Sequence, residues 1–177
     1  MNENKELKFQ KLKICILTIS SSRELSDDKS GDVLEERILG FGHELFERKI
    51  TKDNKDSIKN IIINWSKDKE IDVIITSGGT GLTETDVTPE ALEEIFEKTI
   101  PGFSVIFHNI SFNKIKTSTI QSRATAGILM ETFIFALPGS PSAVQDGWDE
   151  ILRYQLDSRH KPCNFVEILP RLREIVD

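Results

Sequence analysis

Cysteine is scarce in this sequence, and long apolar runs are missing from it. The two cysteines, Cys15 and Cys163, lie far apart and in no metal-ligand spacing, which argues against a disulfide framework and a zinc site. No run approaches the roughly 18 apolar residues that a membrane helix needs. The opening residues, MNENKELKFQK, contain no apolar stretch typical of a signal peptide. We therefore expect a protein of the reducing cytoplasm that does not enter a membrane.

Positive charge is also in short supply. The chain has 23 Lys and Arg against 29 Asp and Glu, a formal net charge of −6. General nucleic-acid binding requires a basic face, so this balance argues against a nucleic-acid partner. The same balance means that an anionic ligand would need backbone donors, local Lys or Arg, or a metal ion.

What the chain does have is length and apolar content for one domain, with 177 residues of which 38% are hydrophobic. We expect a flexible tail over residues 1–12 and a single domain over 13–177. A buried strand, a polar loop and a helix follow one another three times, around the loops Ser20–Ser30, Ser77–Thr88 and Pro138–Pro141. This alternation predicts a three-layer α/β fold, a mostly parallel sheet with helices on both faces. The three loops then meet in one crevice at the carboxyl edge of the sheet.

The central stretch, Ile71–Ala91, reads IDVIITSGGTGLTETDVTPEA. An apolar run of β-branched residues ends in a glycine loop, and a helix begins near Thr88 and Pro89. Glycines let a ligand approach the main chain, and successive N–H groups can then form a nest for phosphate. The loop has neither the GK[ST] end of a Walker loop nor the GxGxxG spacing of dinucleotide binders. Taken alone it is either a phosphate site or a tight turn, and the candidate residues are Ser77, Gly78, Gly79, Thr80 and Gly81.

A second glycine loop, formed by Pro138, Gly139, Ser140 and Pro141, follows the apolar run TFIFAL. Gly139 and Ser140 would form a second anion site at the start of a helix. The alternative is an ordinary helix start, with Ser140 as N-cap and Pro141 in the first helical position.

Two other segments carry predictions about secondary structure. The pattern around Leu92 predicts a helix from Pro89 to about Lys98. The segment Lys114–Gly127, KIKTSTIQSRATAG, is short of large apolar residues and rich in Thr, Ser and Ala. It predicts a surface loop that runs into a helix of small residues.

Several motifs together resemble the MoaB/MogA family of molybdenum cofactor biosynthesis, which shares its fold with the G domain of gephyrin. They extend from about Lys13 to Phe165, and the last two indicate the MoaB branch. The motifs are DDKSGD (Asp27–Asp32), TSGGTGLTETDVTPEAL (Thr76–Leu92), TSTIQSRATAG (Thr117–Gly127), FALPGSPSAV (Phe135–Val144) and LDSRHKPCNF (Leu156–Phe165).

The resemblance implies an enzyme, a molybdopterin adenylyltransferase. Molybdopterin would attack the α-phosphate of ATP to give adenylyl-molybdopterin and pyrophosphate, with Mg²⁺ required. It also implies a homotrimer or hexamer, with other proteins of molybdenum cofactor biosynthesis as further possible partners. One alternative is a non-catalytic paralogue that binds molybdopterin or a nucleotide. Another is a nucleotide-binding α/β domain with a different phosphorylated substrate.

Two carboxylates are candidates for catalysis and for holding Mg²⁺, which prefers oxygen ligands. Asp86 directly follows the glycine loop and can reach a metal on phosphates bound there, and its counterpart in the family is an essential acid. The alternative for Asp86 is a loop aspartate that accepts hydrogen bonds from the backbone. Asp53 matches the family's second acidic position, and nearby Asp56 would then cap the following helix.

The resemblance also assigns roles in ligand binding outside the glycine loops. Ser20 and the loop after it match a position that approaches the nucleotide base or the pterin, and Ser118 would meet the pterin or its phosphate. Arg123 would either contact the pterin phosphate or lie in an interface between subunits.

Overall fold

The computed structural model describes residues 2–4 and 6–174, and a mixed β-sheet lies at its centre. The strands are β1 (Asn2–Glu3), β2 (Lys13–Ile19), β3 (Glu44–Thr51), β4 (Val73–Ser77), β5 (Lys98–Thr99), β6 (Thr125–Leu129), β7 (Thr132–Leu137) and β8 (His160–Lys161). The α-helices are α1 (Lys29–Phe41), α2 (Lys55–Ser66), α3 (Thr88–Glu93), α4 (Pro101–Ile115), α5 (Pro141–Gly147), α6 (Arg153–Gln155) and α7 (Leu169–Leu172). Short 3₁₀ helices cover Leu25–Asp27 and Lys116–Gln121, and a π-helical turn, Trp148–Leu152, joins α5 to α6.

The order of the strands creates a crevice at the middle of the sheet. Six strands lie in the order β3-β2-β4-β7-β6-β5. The first four are parallel, whereas β6 runs antiparallel to β7 and β5 antiparallel to β6. The chain leaves β2 through α1 towards β3, and it later returns through α2 to β4 on the other side of β2. Because the loops after β2 and β4 depart in opposite directions, a crevice opens between their carboxyl ends.

Helices cover both faces of the sheet, which confirms the predicted three-layer α/β fold. Alternate residues of β2 divide between two cores, since successive side chains of a strand point to opposite faces. Ile14 and Ile16 pack in the core that includes side chains of α1, α4 and α5. Cys15 and Leu17 pack in the core that includes side chains of α2 and α3. Within the part of the chain that the structure describes, no helix combines the length and apolarity needed to cross a bilayer.

The antiparallel edge of the sheet corrects two predictions. Lys114–Gly127 holds a 3₁₀ helix and then enters strand β6, not a helix of small residues. The small side chain at Gly127 has a packing reason, because a Cβ there would overlap the ring of Phe96. Helix α3 ends at Glu93, before the predicted Lys98, because the following segment pairs with β6.

Part of the predicted tail, residues 1–12, contacts the domain. Asn2–Glu3 pairs with β8 in a separate two-stranded sheet. The ring of Phe9 lies 5.8 Å from that of Phe41 and 5.1 Å from that of His43. Leu12 is fully buried and belongs to the core on the α1 side of the sheet. These contacts attach the segment before β2 to the end of α1.

A buried ion pair anchors the loop that follows β2. Asp28 is fully buried, caps α1 at the amide of Gly31, and accepts hydrogen bonds from Thr18 Oγ1 at 2.7 Å and Arg48 Nη2 at 3.0 Å. Burial raises the pKa of Asp28, but the bonds from Thr18, Gly31 and Arg48 outweigh it, so that the pKa lies below its usual range. The pair therefore fixes where the Ser20–Asp28 loop ends and α1 begins.

Replacing the cation of this pair should leave a buried, unpaired carboxylate. We expect Arg48→Gln to lower the free energy of unfolding by about 3–5 kcal/mol at neutral pH, measured by denaturant unfolding. Lys49→Gln, a change at the exposed neighbour, should stay within about 0.5 kcal/mol of the wild type.

Acid should reduce the difference in free energy of unfolding between Arg48→Gln and the wild type. A lowered carboxyl pKa contributes stability above the unfolded-state pKa of about 3.9, and that contribution is lost as the pH falls through the folded-state pKa. An equal loss at pH 7 and below pH 3 would contradict the role of the Asp28 charge.

Candidate functional site

A cleft of about 700 Å³ opens at the carboxyl edge of the sheet, between the loops that follow β2, β4 and β7. The 3₁₀ helix after α4 closes one side of it. The cleft brings together most of the residues that the sequence indicates, namely Ser20, Asp53, Gly78, Gly79, Thr80, Gly81, Asp86, Ser118, Pro138, Gly139 and Ser140. Ser77 is the exception, since it ends β4 fully buried and does not line the cleft.

The glycine loop after β4 has a backbone that only glycine adopts readily. Gly78 and Gly79 have φ values of 108° and 63°. A Cβ at Gly78 would overlap the carbonyl oxygen of Ile19, at the end of the neighbouring strand. Among the described residues, no acceptor bonds the backbone N–H of Gly79 or Thr80. The loop therefore offers donors to an anion, as a nest of amides does.

Arg123 fastens this loop to the start of α3. Its Nε donates to the carbonyl of Gly81 at 2.8 Å, and its Nη2 donates to the carbonyl of Asp86 at 2.7 Å. Its Nη1 bonds the carboxylate of Glu90, and its backbone N–H donates to the carbonyl of Thr80. These bonds commit the guanidinium to the protein's own loop, so Arg123 positions the loop.

Asp86 lies in the cleft and is also bonded to its own loop. Its Oδ2 accepts from the amide of Thr83 at 2.9 Å and from the hydroxyl of Thr83 at 2.6 Å. Burial raises the pKa of Asp86, but the bonds from Thr83 and Gly81 and the charge of Arg123 outweigh it and hold the pKa below its usual range. Asp86 is therefore an anion at neutral pH. Asp86 therefore shows both predicted arrangements, because it accepts hydrogen bonds from its own loop and also lies in the cleft.

Asp53 reaches the cleft from the end of β3 and is held by a residue that the sequence did not single out. Ser21 Oγ donates to Asp53 Oδ2 at 2.7 Å and accepts from the Asp53 amide at 3.3 Å. Asn54, not Asp56, caps α2. In the sequence, Ser21 is the middle of a run of three serines, and nothing in that run distinguishes it from its neighbours.

The loop after β7 begins a helix in the ordinary way. Ser140 Oγ accepts from the amide of Ala143 at 3.2 Å and so caps α5, with Pro141 at the first helical position. Gly139 passes close to the first glycine loop, because a Cβ at Gly139 would lie 3.1 Å from Gly78 Cα. The two glycine loops thus lie side by side in the cleft.

The residues of the cleft can hold Mg²⁺ only if a substrate supplies further oxygen ligands. Among residues 2–4 and 6–174, no group of three or more His, Cys, Asp and Glu is arranged to hold a metal. Asp53 and Asp86 are two carboxylates on one cleft, and Mg²⁺ in phosphate-handling sites usually takes one or two carboxylates together with phosphate oxygens and water. The residues present therefore fit a metal that a phosphorylated substrate carries in.

Known proteins that are similar in sequence and in structure support the fold. Residues 15–158 match the profile of a family described as probable molybdopterin binding domain. Molybdenum cofactor biosynthesis protein B of Escherichia coli K12 is 42% identical over 157 residues, which cover 89% of this chain and 92% of the relative. A probable molybdopterin adenylyltransferase of Methanocaldococcus jannaschii is 38% identical over 143 residues, or 77% and 85% of the two chains. The solved tungsten cofactor synthesizing protein MoaB from Pyrococcus furiosus superposes with a TM-score of 0.76 at 30% identity, covering 93% and 99%.

A substitution at Gly78 tests the tight approach of the loop to β2. We expect Gly78→Ala to lower the free energy of unfolding by roughly 1–3 kcal/mol, because the new side chain meets backbone and the φ value is unfavourable. Gly40→Ala is the matched control, since a Cβ there meets nothing within 4 Å and Gly40 lies inside α1. It should raise stability by about 0.5–1 kcal/mol. Equal effects of the two changes in thermal or denaturant unfolding would contradict the proposed packing.

Proposed function

The chain belongs to the MoaB/MogA family of molybdenum cofactor biosynthesis, and we propose that it is a cytoplasmic molybdopterin adenylyltransferase that uses ATP and Mg²⁺. Membership confirms the family that the motifs indicate. The observation that carries the activity is the meeting of two carboxylates with a nest of amide donors in one cleft. The name of the relative from Methanocaldococcus jannaschii supports the same reaction.

In the proposed reaction, a phosphate oxygen of molybdopterin forms a bond to the α-phosphorus of ATP. The bond from that phosphorus to the bridging oxygen breaks, and pyrophosphate leaves with the electron pair. Such a transfer requires positioning and charge neutralisation more than covalent help from the protein. The amides of Gly79 and Thr80 would bind phosphate oxygens, while Ser118 and the Pro138–Ser140 loop border the rest of the substrate.

Asp53 and Asp86 would hold Mg²⁺, which would neutralise phosphate charge when bound. Ser21 orients the carboxylate of Asp53, and Thr83 orients that of Asp86. Both carboxylates repel a bare polyphosphate, so affinity for ATP should depend on the metal.

The assay for this function is direct. Purified protein is mixed with molybdopterin, ATP and Mg²⁺, and adenylyl-molybdopterin and pyrophosphate are measured. Both products should form, and neither should form with EDTA. Binding of molybdopterin without turnover would reject the enzyme and favour a non-catalytic binding paralogue.

We also propose a homotrimer or hexamer. Helix α4 and the 3₁₀ helix after it expose five large apolar side chains, which are Val105, Ile106, Phe112, Ile115 and Ile120. Exposed large apolar side chains concentrated on one element are typical of an interface between subunits.

Removing the carboxylate charge of Asp86 should stop the reaction and spare the fold. Asp86→Asn keeps the size and the acceptor for Thr83, so we expect kcat to fall at least about a hundredfold with little change in unfolding temperature. Asp56→Asn, an exposed acid at the start of α2, should leave turnover unchanged. Undiminished turnover by Asp86→Asn would contradict its role as a metal ligand.

Assembly should depend on the exposed apolar side chains of α4. We expect a mass of three or six times 20.1 kDa for the wild type in light scattering after gel filtration. Val105→Asp should lower that mass, because the new charge loses its hydration in an interface. Leu39→Asp changes a similarly exposed side chain on α1 and should leave the mass unaltered. A wild-type monomer would contradict the proposal.

A further inference from the structure

The cleft has one cationic side chain among the described residues that line it. That residue is Arg23, in the loop after β2. The cleft also contains the carboxylates of Asp53 and Asp86, so negative charge predominates there. Arg23 forms no ion pair within 4.0 Å with any acid of the described chain. Its guanidinium is therefore not paired directly with a carboxylate of the described residues.

The protein holds the guanidinium of Arg23 by one of its three nitrogens. Nη1 donates to the carbonyl of Gly139 at 3.1 Å and to Ser30 Oγ at 3.4 Å. Neither Nε nor Nη2 donates to an acceptor within residues 2–4 and 6–174. These two nitrogens form the side-on fork of an arginine, which matches the oxygens of a carboxylate or phosphate.

In two other arginines of this chain, Nε and Nη2 both donate to oxygen acceptors of the protein. Nε and Nη2 of Arg37 donate to the two oxygens of Asp149, at 3.1 and 3.2 Å. The same pair of nitrogens in Arg123 donates to two backbone carbonyls. Arg23 differs in that its fork has no protein acceptor and its side chain borders the cleft.

The backbone of Arg23 is also fixed. Ser20 Oγ accepts from the amide of Ser22 at 3.3 Å and from the amide of Arg23 at 3.2 Å. Ser20 thus stabilises the turn that presents Arg23, while Gly139 holds the far end of its side chain. An arginine held at both ends loses little further conformational freedom when its fork binds a ligand.

We propose that Arg23 binds a phosphate group of the substrate side-on through Nε and Nη2, and that this contact needs no metal. The proposal rests on the proposed function in so far as the cleft takes phosphorylated substrates. In this proposal two different groups neutralise the charge of the substrate in the cleft. Asp53 and Asp86 would hold Mg²⁺ against one part of the substrate, and Arg23 would neutralise a phosphate group beside Gly139.

The test is ligand binding in EDTA, which does not require turnover. Inorganic phosphate, AMP, ATP and molybdopterin are titrated by calorimetry into wild type, Arg23→Gln, Arg23→Lys and Arg171→Gln. Arg171 is exposed on α7 and away from the cleft, so its variant controls for the loss of one charge. Unfolding temperatures of all four proteins show whether each variant is folded.

We expect Arg23→Gln to weaken binding of the phosphate ligands about ten- to a hundredfold, as for a charge-assisted hydrogen bond. Arg23→Lys keeps the charge but lacks the fork, and it should lose less affinity than Arg23→Gln. Arg171→Gln should bind as the wild type does. If Arg23→Gln is unfolded, the affinity of Arg23→Lys for the phosphate ligands tests the proposal instead. A contact that depends on the fork should still be weakened in Arg23→Lys.

The ligands distinguish the source of the phosphate. Loss with AMP and ATP alone assigns the contact to the nucleotide, and loss with molybdopterin alone assigns it to the pterin phosphate. Unchanged affinity of folded Arg23→Gln for every ligand would overturn the inference, as would the absence of any binding by the wild type in EDTA. A wild type that binds phosphate through Arg23 but forms no product would reject the proposed function alone.

Discussion

The parallel pairing of β2 with β4 is the contact on which the rest of the structure depends. The two strands are neighbours in the sheet although α1, β3 and α2 separate them in the chain. Their loops therefore diverge and leave the cleft between them. The same pairing brings the carbonyl of Ile19 against Gly78, so that glycine is required where β4 ends. The pairing of β2 with β4 thus accounts both for the cleft and for the glycine in its loop.

The sequence predicted the parallel half of the sheet better than its antiparallel edge. Buried parallel strands are continuous apolar runs, and VIITS and TFIFAL have that form. Strand β6 reads TAGIL and contains a glycine, because Phe96 packs directly over it. Local composition favours a loop or a small-residue helix at this point, and only the tertiary contact explains the strand.

The candidate site was predictable where chemistry and turn geometry coincide. Glycines after a buried strand, and acids beside them, indicated the loop and Asp86, and the structure places both in the cleft. The roles of Asp53 and Asp86 stay predictions. The loop after Ser20 was indicated, but Arg23 and Ser21 were not singled out in it, because the loop is mostly polar and nothing in it marks one side chain as facing the cleft. Their partners, Gly139 and Asp53, come from distant parts of the chain.

The bonds around the first glycine loop have a consequence for how the cleft handles water. Gly78 donates to the carbonyl of Leu137, Thr88 bonds Gly78 and Gly79, and Arg123 bonds Gly81 and Asp86. A loop held at so many points is already ordered before a substrate arrives, so binding costs it little entropy. For the same reason it cannot fold over the substrate as a lid does. Water at the amides of this loop must then be displaced by the substrate itself as it fills this part of the cleft.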